Sequence, residues 1–132
     1  MAFADELRKK SEQAPKDEKD KEKHFLNEIY VSLKEGVLRC FLRKCVEEAS
    51  RGETELLLFL DFIHIVGIVH EQERIFVNQS DYPYVEHIMK VNKKELTDYI
   101  VDGLIEQGFT KINVKVNTSR LTGYYLRISA AW

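Results

Sequence analysis

Cysteine, proline and glycine are all scarce in this chain of 132 residues, at two, two and six. Two cysteines cannot supply a disulfide framework and fit a reducing compartment. Cys40 and Cys45 also lack CxxC spacing; on a helix, five residues turn about 140°, so the two thiols do not face each other. No apolar run is long enough for a membrane span. The longest, Leu56 to Val69, is broken by Asp61, His64 and Gly67. The first residues, Met1-Ala2-Phe3-Ala4-Asp5-Glu6, form no apolar signal core. The expectation is therefore a cytoplasmic protein with no membrane association. Neither sign of charge dominates: 20 Lys and Arg against 22 Asp and Glu leave a net charge of -2. That balance gives no global steering toward nucleic acid, although a local basic patch is still allowed.

What is present is the composition of a soluble globular protein, 44% hydrophobic and 32% charged. The length is that of one domain with a short appendage. Residues 1–23 are the appendage, an alternation of Lys/Arg with Asp/Glu that holds few apolar residues. They read as a charged arm, mostly disordered or a frayed extension of the next helix, with Pro15 ending or interrupting any early turn. Residues 24–132 read as an α+β domain.

Within that domain the periodicity predicts a long helix from about His24 to Ser50. Leu26, Ile29, Tyr30, Leu33, Val37, Cys40, Phe41, Cys45 and Val46 recur at three- and four-residue steps. Gly52 is placed to stop the helix. Thr54–Leu60 and Phe62–Val69, rich in Leu, Ile and Val, read as two buried strands, and Arg74–Asn78 as a third. Asp81-Tyr82-Pro83 then opens a short helix with Val85, Ile88 and Met89 on one face. From Asn92 onward the signals agree. Asn92 and Glu95 have capping-box spacing, and Leu96, Tyr99, Ile100 and Leu104 form one stripe, with Gly108 at the C-terminal stop. Ile112, Val114 and Val116, then Tyr124, Leu126 and Ile128, alternate with polar residues as the two strands of a hairpin. The expected fold is a four- or five-stranded mixed or antiparallel sheet, packed by the long helix and by the helix before the C-terminal hairpin. Its predicted core is Ile29, Leu33, Val37, Phe41, Leu58, Leu60, Ile65, Leu96, Ile100, Leu104, Ile112, Val114, Leu126 and Ile128.

No catalytic motif survives inspection. His70-Glu71-Gln72-Glu73-Arg74 begins like a zinc-protease helix, but Arg74 stands where a second His is required. On a regular strand His64 and His70 would share a face roughly 20 Å apart at about 3.3 Å per residue, too far for one metal. Asp61 and His64 would point to opposite faces. There is no phosphate-binding Gly-rich loop and no Gly-x-Ser-x-Gly elbow. The sequence therefore gives no catalytic residue, metal ligand or cofactor.

Two binding surfaces remain. Tyr30, Leu38, Leu42, Tyr82, Tyr84 and Trp132 form the candidate protein interface. Large amphipathic rings are enriched at such surfaces, and the long helix has an apolar pattern on more than one side. The polar parity of the hairpin carries Lys111, Asn113, Lys115, Tyr125 and Arg127, a candidate nucleic-acid face of cations beside an aromatic ring.

One resemblance is visible in the segment order. Glu47-Glu48-Ala49-Ser50-Arg51-Gly52, Leu104-Ile105-Glu106-Gln107-Gly108-Phe109 and the close Tyr124 to Trp132 resemble short uncharacterised proteins encoded by bacteriophages and prophages. In those proteins a helix ends near EAA-x-G, a second ends in L-x-x-x-G-F/Y, and two strands end in I-x-W. Here two alanines separate Ser129 from Trp132, and Asp61 to Val91 is longer than that pattern has. The resemblance implies an α+β fold and a viral origin, and no catalytic residue. The function expected is a non-catalytic protein-interaction or assembly module that self-associates; the alternative is a nucleic-acid-binding accessory protein using the hairpin face.

Overall fold

The computed structural model describes residues 2–73, 82–121 and 123–132, with the backbone alone at 11–20, 72 and 73. In chain order these residues form α1 (Phe3–Ser50), β1 (Glu55–Leu60), α2 (Phe62–Glu73), α3 (Tyr82–Val91), α4 (Lys93–Glu106), β2 (Thr110–Ser119) and β3 (Gly123–Ala131). The class is α+β.

Helix α1 organises the rest. Ile29, Leu33, Val37, Phe41 and Cys45 follow one another at steps of four and are all buried. A step of four overshoots a full turn by about 40°, so this row winds about 160° around the helix. No single neighbour can cover such a row. Near its start Phe25 meets Tyr84 of α3 edge to face at 5.4 Å. Midway Leu38 lies against Gly103 of α4, where an added Cβ would come within 2.7 Å of its Cδ2. At the far end Phe41 meets Phe109, ring centres 6.1 Å apart. Ser32 is also buried, and its hydroxyl has no partner among the described residues. The expected start at His24 is too late, since the helix continues through the charged arm to Phe3 and Pro15 does not end it. Residues 2–10 and 21–24 of that arm are exposed. Gly52, with φ 85°, closes the helix by passing the Glu53 N–H back to the Glu48 carbonyl at 3.1 Å.

The segment after β1 corrects the sequence reading. Phe62–Val69 is the body of helix α2, not a strand. Phe62, Ile65, Val66 and Val69 are buried at i, i+3, i+4 and i+7, while Ile63, His64 and Gly67 are exposed. That is a helical face, and packing on α1 overrides the β preference of Ile and Val. The expected strand at 74–78 lies outside the described residues, as does Asp81.

Helices α3 and α4 appear where expected, with Val85, Ile88, Met89, Leu96, Ile100 and Leu104 buried. The capping box does not form. The Asn92 N–H is already spent on the Ile88 carbonyl of α3 at 2.9 Å, and Asn92 adopts φ -97°, ψ 19° instead of an extended conformation. Its side-chain amide bonds Glu95 Oε2 at 3.2 Å instead. Gly108, with φ 88°, ends α4 as expected and returns the Phe109 N–H to the Leu104 carbonyl at 3.0 Å.

The described sheet has three antiparallel strands in the order β1-β3-β2; of the four or five expected, Phe62–Val69 is helical and the segment 74–78 lies outside the described residues. Opposed rungs include Leu60–Leu126–Val116 and Leu58–Ile128–Val114 on the face toward the helices. The predicted core is found there, with Leu58, Ile112 and Val114 half-buried at its margin.

Burial of Cys45 at the end of the α1 row pushes its thiol pKa up from 9.0 to about 11. The unfolded thiol ionises first as pH rises, so its proton loss favours unfolding between about pH 9 and pH 11 and has no effect at neutral pH. Denaturant titrations are expected to show stability falling more steeply over that window in the wild type than in Cys45→Ala; parallel pH profiles would show that the thiol is not desolvated.

Candidate functional site

Strand β1 reads Glu55-Leu56-Leu57-Leu58-Phe59-Leu60, apolar on both parities. Such a run normally belongs to a strand covered on both faces. Here one parity, Leu56, Leu58 and Leu60, turns toward α1 and α2. The other leaves Leu57 56% and Phe59 52% exposed. Helix α2 continues this apolar surface with Ile63, itself 63% exposed. All four described helices lie over the same face of the sheet or around α1, so no described helix covers the opposite face.

The hairpin residues singled out from the sequence fall on that open face. Lys115 and Arg127 are opposed across β2 and β3, and Phe59 of β1 completes the rung. Asn113, Ser129 and Leu57 form the next rung. Tyr125 is half-buried because its ring packs on Phe59, with centroids 4.7 Å apart and planes 31° from parallel. Lys111 has φ 53° at an irregularity between Thr110 and Asn113. It lines a shallow concavity with Leu57, Arg127, Ser129 and Glu55. The surface is therefore an aromatic pair beside Arg127 and Lys115, with Leu57 and Lys111 farther along the sheet. Phe59 and Leu57 are the members that the sequence reading missed. Their signal is present in the five consecutive apolar residues of β1, a pattern shared with strands buried on both faces.

The residues expected to form a protein interface are distributed differently. Tyr30, Leu38, Leu42, Tyr82 and Tyr84 are half-buried against the core. Tyr82 packs on Phe62, ring centres 5.5 Å apart. Tyr30 and Tyr99 both lie 4.9 Å from Lys34 Nζ, which holds α1 to α4 through cation–π contact. Burial raises the Tyr30 pKa, and Glu95 raises it further by its charge and by accepting the phenol hydrogen bond. Trp132 is 40% exposed; its backbone N–H donates to the Thr54 carbonyl at 2.9 Å and its ring meets Phe109 edge to face at 6.1 Å. It belongs with the Phe41 end of α1. The tyrosines of α3 lie at the Phe25 end, about 24 Å away along the helix at 1.5 Å per residue. The six do not form one surface.

Asp61 and His64 do come together, because α2 is a helix. Asp61 Oδ1 lies 2.9 Å from both the His64 backbone nitrogen and its Nδ1, and the Asp61 carbonyl accepts from the Ile65 N–H. This is an N-cap, and the pair lies at the open surface with the His64 side chain 68% exposed. His70, six positions on, is turned about 120° away from His64 around the helix. Among the described residues no three His, Cys, Asp or Glu side chains converge as a metal site would require. No described helix is long and apolar enough to cross a membrane.

A groove of about 470 Å³ runs beside β1, lined by Leu58, Leu60, Ile63, Gly67, Cys40 and Arg43 among others. It joins the exposed edge of the sheet to the surface between α1 and α2. The open face, the β1 edge and this groove together make the candidate site. Compared with known proteins, the chain matches no family model, no curated protein and no solved structure.

Proposed function

We propose that this protein is a protein-interaction module that associates with itself. The observation carrying the reading is β1, whose second apolar parity, Leu57 and Phe59, is more than half exposed and continuous with Ile63. Burying exposed apolar area stabilises association by about 25 cal/mol per Å² before the costs of ordering. The groups that would fill such a surface are apolar and extended, which is the chemistry of β1 itself. The Asp61–His64 contact is accounted for by capping α2. Light scattering at high micromolar concentration is expected to give a mass above 15.5 kDa. Leu57→Lys is expected to return the protein to the monomer with its circular dichroism unchanged. A wild type that stays monomeric throughout would refute the reading.

A second reading is favoured by one feature, the Phe59–Tyr125 ring pair beside Arg127 and Lys115. Rings on an open sheet face can stack bases while flanking cations contact phosphates, the arrangement that single-stranded nucleic acid requires. This reading expects oligonucleotide binding that weakens with salt and drops roughly tenfold in Lys115→Glu or Arg127→Glu. Fluorescence anisotropy with a labelled single strand measures it, and binding unchanged in both variants would remove the surface from consideration.

A further inference from the structure

The two edges of the described sheet, β1 and β2, are built in opposite ways. Strand β2, one edge, carries exposed Lys111, Asn113, Lys115 and Asn117, and its pairing with β3 shifts register between Thr110 and Asn113. Lysines and an irregular ladder are the means by which proteins keep a second strand from adding to an edge. Strand β1, the other edge, has none of these. It keeps one register with β3 from Glu55 to Leu60, holds no lysine or proline, and bears its only charge at Glu55. A regular apolar edge of this kind is a template for another strand.

We propose that β1 pairs antiparallel with β1 of a second copy, about a two-fold axis at Leu58, joining two three-stranded sheets into one of six strands. The inference rests on the self-association reading above and specifies its geometry. Directly opposed residues in an antiparallel pair lie on the same face, so a register slip of one residue is excluded by the alternation of the two faces. Centred on Leu58, the pairing sets Leu58 against its own copy and Leu56 against Leu60 on the helix side. It sets Leu57 against Phe59 on the open side. All five apolar residues of β1 then face apolar residues. Sliding the axis to Leu57 or Phe59 would oppose Glu55 to Phe59, or Asp61 to Leu57.

The surroundings of β1 fit this arrangement. The helix-side residues of an added strand would lie along the groove formed by Leu58, Leu60, Ile63, Ile68 and Gly67. Gly67 keeps that wall low, since no described residue lies within 4 Å of where its Cβ would be. Arg43 and Lys44, which also line the groove, are already paired within the chain with Glu71 and Glu47, so the groove keeps an apolar floor beside neutralised charge. Asp61, the residue opposite Glu55 in this register, has left the strand and turns its carboxylate to cap α2. These features are complementary within a single chain, which is what selects a second copy over a foreign strand.

Amide hydrogen exchange on the full chain tests the geometry, compared between a dilute and a concentrated sample whose masses are fixed by light scattering. The proposal expects alternate amides of Glu55–Leu60 to exchange at least tenfold more slowly in the associated sample, with those of β2 unchanged. Leu57→Lys, which puts a lysine on this edge, is expected to abolish both the association and the added protection. Association without new protection in β1 would overturn this geometry while leaving self-association standing. A monomer at every concentration would overturn both. Protection gained only when an extended apolar peptide is added to a monomeric chain would assign the edge to a foreign strand and reject the second copy.

Discussion

A row of side chains that winds around a helix must be covered from several directions, and the rest of this structure follows from that constraint on α1. Ile29, Leu33, Val37, Phe41 and Cys45 turn progressively about the axis and are all buried. α3 reaches the row near Phe25, α2 packs along it, α4 closes on Leu38 through the space left by Gly103, and Phe109 covers the end at Phe41. Lys34 between Tyr30 and Tyr99, with Glu95 holding the Tyr30 phenol, fixes the α1–α4 contact at the boundary. Loss of any one flank would expose part of a continuous row, so the helices depend on α1 jointly.

The same constraint explains why the sheet has a bare side. The helices of the described chain are committed to α1, and the sheet closes the remaining opening with Leu60, Leu126, Ile128 and Val116. Among the described residues no helix returns to cover Leu57, Phe59 and Arg127, which are exposed. The face is mixed: cations and amides stand over β2 and β3, while β1 is apolar to its edge. That division separates a protected edge from an open one, and it places the candidate binding surface at the margin of the sheet beside α2.

The closing unit was legible in the sequence because each signal was local. Gly108 adopts positive φ at the end of α4, and strict alternation in β2 and β3 fixes which residues face inward. The one local failure there, the capping box, arose because α3 and α4 share Asn92, so its N–H was already used. The middle was harder. Phe62–Val69 carries apolar residues at nearly every position, and a short run of that kind has no readable period. Its helical identity comes from which residues α1 and β3 bury, together with an Asp61 cap whose partner is a backbone N–H. The exposed apolar surface is hard to read from sequence for a related reason. Tyr30, Tyr82 and Tyr84 pack against the core, Tyr84 at the Phe25 end of α1, while Trp132 lies at the Phe41 end. The exposed residues, Leu57 and Phe59, looked like core because nothing in a sequence tells an apolar parity with cover from one without. Lys111, Asn113, Lys115, Tyr125 and Arg127 did fall on one face, as their alternation implied.

The central claim is that the open β1 edge, beside the α1–α2 groove, is where this protein meets its partner and that the partner is a second copy. Amide chemical shifts of the labelled full chain, followed over a dilution series, test it most directly. The account predicts concentration-dependent shifts concentrated at Glu55–Leu60, Ile63 and Gly67, with Asn113 to Asn117 of β2 static. Shifts that instead cluster on β2 or on Trp132, or a spectrum that does not change with concentration, would contradict it.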